Sequence, residues 1–238
     1  MRILKIVSAI LTLAALGVFA VSCGSSSKSQ ARLVYAIPDE GGNVDIAIDG
    51  NNVTTNLAFG SVWPSTSGYS SVSSGSRKIE VRPTGDTNAS DDIINSTTSF
   101  NGGSPYTLVA TGRVTDNPPD QILSVFSDDN TAPTSGNFKL RMIHASPSGG
   151  SLDVYVIQGG SIQGLAPNIA TLTYKSASSY LGSLAAGTWQ VFLTPAGSQA
   201  VISNLQYTFA SGKIYTLVLT DNNGSQSINP TPLQLNDN

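Results

Sequence analysis

The residues best suited to chemistry are His144 and Ser146, which lie two positions apart and so share one face of a predicted strand. In a hydrolase, Ser146 would be the nucleophile and His144 its general base. Three features weaken this interpretation: Pro147 follows at once, the sequence has no Gly-x-Ser-x-Gly motif, and the first copy of an internal repeat lacks both residues. The sequence therefore favours a structural role, with His144 and Ser146 bonding backbone groups near the turn at Pro147.

The composition argues against several other kinds of site. The chain has 238 residues, of which 11% are charged, and a formal net charge of -3. Without clustered Lys and Arg, a nucleic-acid partner is not expected. One His and one Cys are too few for a zinc cluster, a Cys-His pair or an internal disulfide. The sequence predicts no metal, no cofactor and no enzymatic activity.

Several carboxylates have simpler explanations than catalysis. Asp45 and Asp153 fall at matching positions of the two copies and are expected to pair with Arg32 or Arg141, if the strands are neighbours. The acidic loops at residues 86–92 and 128–130 offer oxygen ligands for calcium, but solvated turns are the favoured interpretation.

The first 22 residues read as a bacterial lipoprotein signal. Arg2 and Lys5 precede an apolar run at residues 6–20, which is too short for a permanent transmembrane helix. Cys23 follows small residues, as in a lipobox, and its acylation would anchor the chain to a membrane; the alternative is an ordinary signal with an incidental thiol. Residues 23–31 form a flexible tether. In the lipoproteins that this segment resembles, Gly24 after the Cys implies the outer membrane.

The rest of the chain contains two copies of one unit. RLVYAIP at residues 32–38 matches RMIHASP at 141–147, and two further blocks follow in the same order at offsets of 108 to 112 residues. We therefore predict a first domain at 32–127, a linker at 128–137 and a second domain at 138–238.

Each copy is predicted to be a β-sandwich. Apolar and polar residues alternate with period two, and turn residues separate the runs. The expected fold is all-β, with two tandem immunoglobulin-like antiparallel sandwiches after an N-terminal signal helix. Tyr106 and Tyr215 each open a late strand and fit either a tyrosine corner or a plain core position.

Comparing the copies suggests a binding patch on the second. Tyr155 aligns with Ala47 and Phe192 with Glu80, which places both rings on the outward face of their strands. Trp189 is expected to be half-buried at a strand end. We predict that Tyr155 and Phe192 are exposed and form a binding patch with Trp189; the alternative is that a loop or the first copy covers them.

The second copy resembles the family of bacterial surface proteins called DUF4397, a domain of unknown function. The resemblance rests on RMIHASP at 141–147, LDVYV at 152–156 and GTWQV at 187–191, and it extends over nearly all of the chain after the signal. The first copy departs from it at Tyr35 and Ile37. The family has no established activity, so the resemblance implies a secreted or surface-anchored tandem β-sandwich.

Together these features favour a non-catalytic, lipid-anchored cell-envelope protein that presents two sandwiches for binding or adhesion. A polysaccharide or a protein is the expected kind of ligand. The alternatives are an enzyme or enzyme accessory acting on envelope polymers, and a passive spacer.

Overall fold

The computed structural model describes residues 27–225, 227–228 and 232–238. The predicted signal peptide and signal helix, Cys23 and residues 24–26 of the tether lie outside the described residues. Residues 28–31, which were also predicted to belong to the flexible tether, instead form the start of the first strand. Regular structure in the described part is β except for one turn of 3-10 helix at Ala89–Asp91. None of the described residues belongs to a helix long and apolar enough to cross a membrane.

The described part of the chain contains eighteen strands. Those of the first half are β1 Lys28–Ala36, β2 Val44–Ile48, β3 Asn51–Leu57, β4 Val62–Trp63, β5 Ser70–Ser73, β6 Gly75–Pro83, β7 Ile94–Phe100, β8 Pro105–Thr111 and β9 Ile122–Ser127. Those of the second half are β10 Asn137–His144, β11 Leu152–Ile157, β12 Ile169–Leu172, β13 Ser176–Ala177, β14 Leu181–Ala185, β15 Gly187–Pro195, β16 Ser203–Phe209, β17 Ile214–Leu219 and β18 Leu233–Asn236.

The strands form four sheets, two in each half, and the second half repeats the strand order of the first. The inner sheets have the orders β4-β1-β8-β9 and β13-β10-β17-β18, with β5 and β14 also pairing on β1 and β10. The outer sheets have the orders β3-β2-β6-β7 and β12-β11-β15-β16. The all-β prediction is confirmed, with one departure from a purely antiparallel arrangement: β1 pairs parallel with β8, and β10 with β17.

Each half has its own hydrophobic core between its inner and outer sheets. In the first half, Leu33 and Leu108 of the inner sheet meet Ile46 and Val81 of the outer sheet. The second half has an equivalent core that includes Phe138. Apolar residues at every second position of these strands face the core, because every second side chain of a strand points to the same side of its sheet.

The inner sheets are buried on both faces because they also pack against each other. The contact is apolar at its centre, where Val34 and Val109 meet Ile143 and Val218. This explains why the inner strands are almost continuously buried instead of half-exposed.

Two reciprocal ion pairs accompany this contact. Arg32 of the first half pairs with Asp237 of the second, and Arg141 of the second pairs with Asp128 of the first. Both guanidinium groups are buried, and each also donates to a threonine beside it, Arg32 to Thr107 at 3.0 Å. Asp128 lies in the predicted linker, yet it is part of the interface and is not a solvated turn.

The reciprocal contacts relate the halves by an approximate two-fold axis along the strands, so equivalent ends of the two halves coincide. At one end, the hydroxyl of Thr111 donates to the carbonyl of Ala145, at 2.7 Å. At the other end, Lys139 bonds Asp129, at 2.6 Å. We call the end at which β1 and β10 begin the tether end, and the end at which they finish the cleft end.

Candidate functional site

A polar cavity lies at the cleft end, between the two halves. This cleft of about 510 Å³ is lined by Arg113, Asp116, Asp120, Pro147, Ser148 and Tyr174. Its first three lining residues come from the segment after β8, and the others come from the segments after β10 and β12. Its volume is within the usual range for small-ligand sites, which are often found between domains.

Arg113 joins the two walls of the cleft. Its guanidinium bonds Asp221 of the second half at 2.8 Å and also donates to the hydroxyl of Ser148. Ser148 in turn donates to Asp221, at 2.6 Å. Only 8% of Arg113 is exposed, so its charge is balanced inside the structure by Asp221.

The opposite side of the cleft is fixed by Asp120. One carboxylate oxygen accepts the backbone N–H of Arg113, at 2.6 Å, and the other accepts Lys175 Nζ at 2.9 Å. Asp116 is exposed, and no hydrogen bond or ion pair ties its carboxylate within the described residues. Burial raises the pKa of Tyr174 above its ordinary value, so the phenol stays protonated at neutral pH.

The charge at this end is strongly negative. Among the residues that the structure describes, the strand directions place three cations at this end, Arg82, Arg113 and Lys175. They place ten of the described carboxylates there: Asp39, Glu40, Asp45, Asp86, Asp91, Asp92, Asp116, Asp120, Asp153 and Asp221. The tether end instead carries Lys28 and Lys213, both exposed. Charge is therefore separated along the strand direction, and the cleft lies at the negative end.

His144 and Ser146 adjoin the cleft but do not form a nucleophile and base. The Ser146 hydroxyl donates to Asp221, and the Ser146 backbone N–H donates to His144 Nδ1, at 3.3 Å. Imidazole Nε2 donates to the carbonyl of Gly150, at 2.6 Å. The ring of His144 thus bonds backbone groups of the turn around Pro147, as expected, whereas the Ser146 hydroxyl bonds the Asp221 side chain instead of a backbone group.

The predicted binding patch on Tyr155 and Phe192 is wrong. Their exposed fractions are 2% and 7%, because the segment between β11 and β12 crosses the outer sheet and packs Ile162 onto both rings. Trp189 is half-buried near the start of β15, where its indole N–H donates to Ala185 O at 2.9 Å. The three aromatics do not form an exposed platform.

The predicted pairing of Asp45 and Asp153 with the arginines is also wrong, because β1 and β2 belong to different sheets. Asp45 instead accepts backbone N–H groups of Asn56 at 2.8 Å and Gly85 at 3.2 Å. Asp153 makes the same kind of contact in the second half. Both carboxylates therefore bind adjacent turns.

Tyr106 and Tyr215 have the hydrogen bond expected of a tyrosine corner. The Tyr106 hydroxyl accepts the backbone N–H of Asn101, at 3.0 Å, and the Tyr215 hydroxyl accepts that of Ala210, at 3.1 Å.

Of the two acidic loops considered for calcium, the one at residues 128–130 has its Asp128 carboxylate in an ion pair with Arg141. The described residues contain no group of three or more His, Cys, Asp or Glu placed to hold a metal ion.

Sequence reasoning missed most of the cleft. Arg113, Asp116, Asp120 and Tyr174 belong to loops without a motif, and only Pro147 stood out among the lining residues. A second cavity, of about 290 Å³ beside β12 and β13, has no charged or titratable side chain in its lining. It offers less chemistry than the cleft.

Comparison with known proteins defines the class of the chain. The model of the family described as "Domain of unknown function (DUF4397)" matches residues 29–155, more than half of the sequence. The protein therefore belongs to the DUF4397 family. The match includes the whole first half and the start of the second.

Other comparisons are more distant. No curated protein matches the chain. A solved structure concerning α-glucan binding by a streptococcal virulence factor is 13% identical, with 85% of this chain and 97% of that one covered and a TM-score of 0.27. The multi-modular glycogen-degrading pneumococcal virulence factor SpuA is 14% identical, with 87% and 22% covered and a TM-score of 0.28. These TM-scores are too low to support an argument.

Proposed function

We propose that the protein is a non-catalytic, lipid-anchored protein of the bacterial cell envelope that binds a ligand in the cleft between its halves. Gly24 after the acylated Cys favours the outer membrane. The observation that carries the proposal is the position of the cleft. Acylated Cys23 would hold the tether end, since only four residues separate it from Lys28. The nine residues of β1 extend about 30 Å away from that end. The cleft would then face away from the membrane.

The binding interpretation is favoured over catalysis by the hydrogen bonds around Ser146. Its hydroxyl proton is directed to Asp221, and the Nδ1 lone pair of His144 is occupied by a backbone N–H. An activated serine needs its base within hydrogen-bond reach of the hydroxyl. If the protein were a passive spacer, the cleft would have no role.

The charge of the cleft end indicates which ligands fit. Asp116 and its neighbouring carboxylates would repel phosphate, sulfate and uronate groups. Neutral or cationic groups with hydroxyl or amine donors match the free carboxylate of Asp116. A neutral polysaccharide or a protein segment with basic side chains therefore suits the cleft better than a polyanion.

We also propose that the second half is a further copy of the DUF4397 domain. The repeated strand order and the equivalent arginines, threonines and aspartates of the interface support this assignment. The cleft would then be a product of the tandem arrangement, because both copies contribute walls.

The proposal is tested with the acylated full-length chain in phosphatidylcholine vesicles, probed with a neutral oligosaccharide array, a lysine-rich peptide and heparin. We expect binding of a neutral or basic probe, about tenfold weaker in Asp116→Asn, and no binding of heparin. Asp49→Asn, at the tether end, is the matched control and should bind normally. Binding to heparin alone, or binding unaffected by Asp116→Asn, would contradict the proposal. Mass spectrometry of Cys23 tests the anchor separately.

A further inference from the structure

His144 supports the second-half wall of the cleft. It is fully buried, and its two ring nitrogens bond the same turn, Nδ1 accepting from Ser146 N–H and Nε2 donating to Gly150 O. Because a backbone N–H can only donate, Nδ1 must carry the lone pair and Nε2 the proton. The turn is therefore held by a neutral imidazole.

The turn held by His144 includes part of the cleft. Pro147 and Ser148 lie inside it and line the cavity. Tyr174, another lining residue, contacts the imidazole edge-on, with ring centroids 6.1 Å apart. The fit is close, since a Cβ at Gly149 would lie 2.7 Å from His144 Cε1. A change at the imidazole must therefore move residues of the cleft.

The first half provides an internal comparison. Tyr35 occupies the equivalent position of β1, and its hydroxyl donates to Gly42 O at 3.1 Å. Phe59 contacts the Tyr35 ring edge-on, at 6.2 Å, as Tyr174 contacts His144. Burial raises the pKa of Tyr35, so this phenol stays neutral throughout the physiological range. Only the second half makes this contact with an imidazole, the side chain whose ordinary pKa lies closest to neutrality.

We propose that His144 is a positioning residue for the cleft, and that its protonation releases the turn of Ser146 to Gly150 and abolishes ligand binding. The proposal rests on the proposed function of the cleft. Once protonated, Nδ1–H would face the Ser146 N–H, which places two donors against each other. The bond at Nδ1 is then lost, and an imidazolium remains in a buried site.

The groups around the imidazole do not favour its charged form. Asp221 is the nearest carboxylate, but Arg113, Ser146 and Ser148 already bond it. Lys175, whose backbone N–H donates to His144 O, pairs its side chain with Asp120. Tyr174 is neutral.

Burial, the largest influence, lowers the pKa of His144 below its ordinary value of 6.5, against weaker opposing effects of Gly150 O and Asp221. For a group whose pKa is lower in the folded state, the neutral form is favoured by folding. The hydrogen bonds by which the neutral imidazole holds the turn are therefore fully formed above about pH 6.5, and they are lost as the pH falls through the lowered pKa of His144.

Amide hydrogen exchange of the full-length chain tests the proposal without any ligand. The Gly149 N–H donates to Ser146 O within the turn, and its protection factor should fall up to about tenfold per pH unit below the His144 pKa. His144→Tyr, which copies the first half, should remove this dependence. Tyr35→His should introduce it at the Gly42 turn and leave the Gly149 turn unchanged.

An NMR titration of the single His gives a second measurement that needs no variant. Protection of Gly149 that is constant while the imidazole titrates, or that keeps its pH dependence in His144→Tyr, would overturn the proposal. An imidazole still neutral at pH 4.5 would also overturn it. If exchange responds as expected and no probe binds the cleft at neutral pH, the turn is pH-sensitive and the proposed function fails instead.

Discussion

Replacing Asp128 by Asn tests whether the reciprocal ion pairs hold the two halves together. The Asp128 carboxylate is fully buried and pairs with Arg141 of the other half. It also accepts hydroxyl hydrogen bonds from Thr107 and Tyr69, both at 2.7 Å. Asparagine keeps the shape of the side chain but removes the charge, so the buried Arg141 guanidinium loses its ion-pair partner.

Leaving one partner of a buried ion pair uncompensated typically costs about 3–5 kcal/mol. We expect the upper part of this range for Asp128→Asn, because this carboxylate also lies 3.8 Å from Arg32. Asp237→Asn should cost less, since Arg32 keeps Asp128 nearby. In a chain of this size a loss of about 4 kcal/mol lowers Tm by roughly 10 °C.

Urea unfolding followed by circular dichroism measures the free energy of unfolding of each variant. Asp49→Asn is the matched control, because Asp49 pairs with Arg77 at 3.0 Å on the surface, and its loss should cost less than about 1 kcal/mol. A cost for Asp128→Asn as small as that of the control would refute the reasoning. A second unfolding transition in Asp128→Asn would show that the halves had separated.

Three further outcomes follow from individual contacts. Phe192→Ala should cost about 3–5 kcal/mol in urea unfolding, because the ring is buried; a loss under about 0.5 kcal/mol would mean that it is exposed. Tyr106→Phe removes the acceptor of the Asn101 N–H and should cost about 1–2 kcal/mol in the same assay. The hydrogen bond from Lys139 is the main cause of the lowered pKa of Asp129, which is about 2. Stability from this pair is present above about pH 3.8 and is lost as the pH falls towards 2, so Lys139→Gln should raise the Asp129 pKa in a carboxyl NMR titration.

The repeat and the period-two alternation were sufficient to predict an all-β fold. Local patterns of this kind report which face of a strand is buried, as at Ile79 and Val81, which alternate with polar residues and lie in the core. They do not report what covers the other face. Tyr155 therefore looked exposed, because the covering segment between β11 and β12 has no counterpart at the short turn of Asp49 and Gly50.

The contact between the halves was not predicted, although the sequence contains a signal for it. Arg32 and Arg141 are 109 residues apart, and Asp128 and Asp237 are separated by the same number. Composition alone assigned Asp128 to a polar linker. A buried ion pair between repeats depends on tertiary packing, so its residues can be recognised only by asking which charges recur at the repeat offset.

The approximate two-fold symmetry also explains why the two copies differ where they do. At the interface a residue and its equivalent make the same contact in opposite directions, as Arg32 does with Asp237 and Arg141 with Asp128, so a change in either disturbs a shared buried network. At the cleft end the equivalent positions lie outside that network. Tyr35 and His144 bond different turns there, and each can change without affecting the other. A tandem arrangement of this kind keeps its symmetric residues for joining the halves and leaves the asymmetric ones, His144 among them, free to differ from one half to the other.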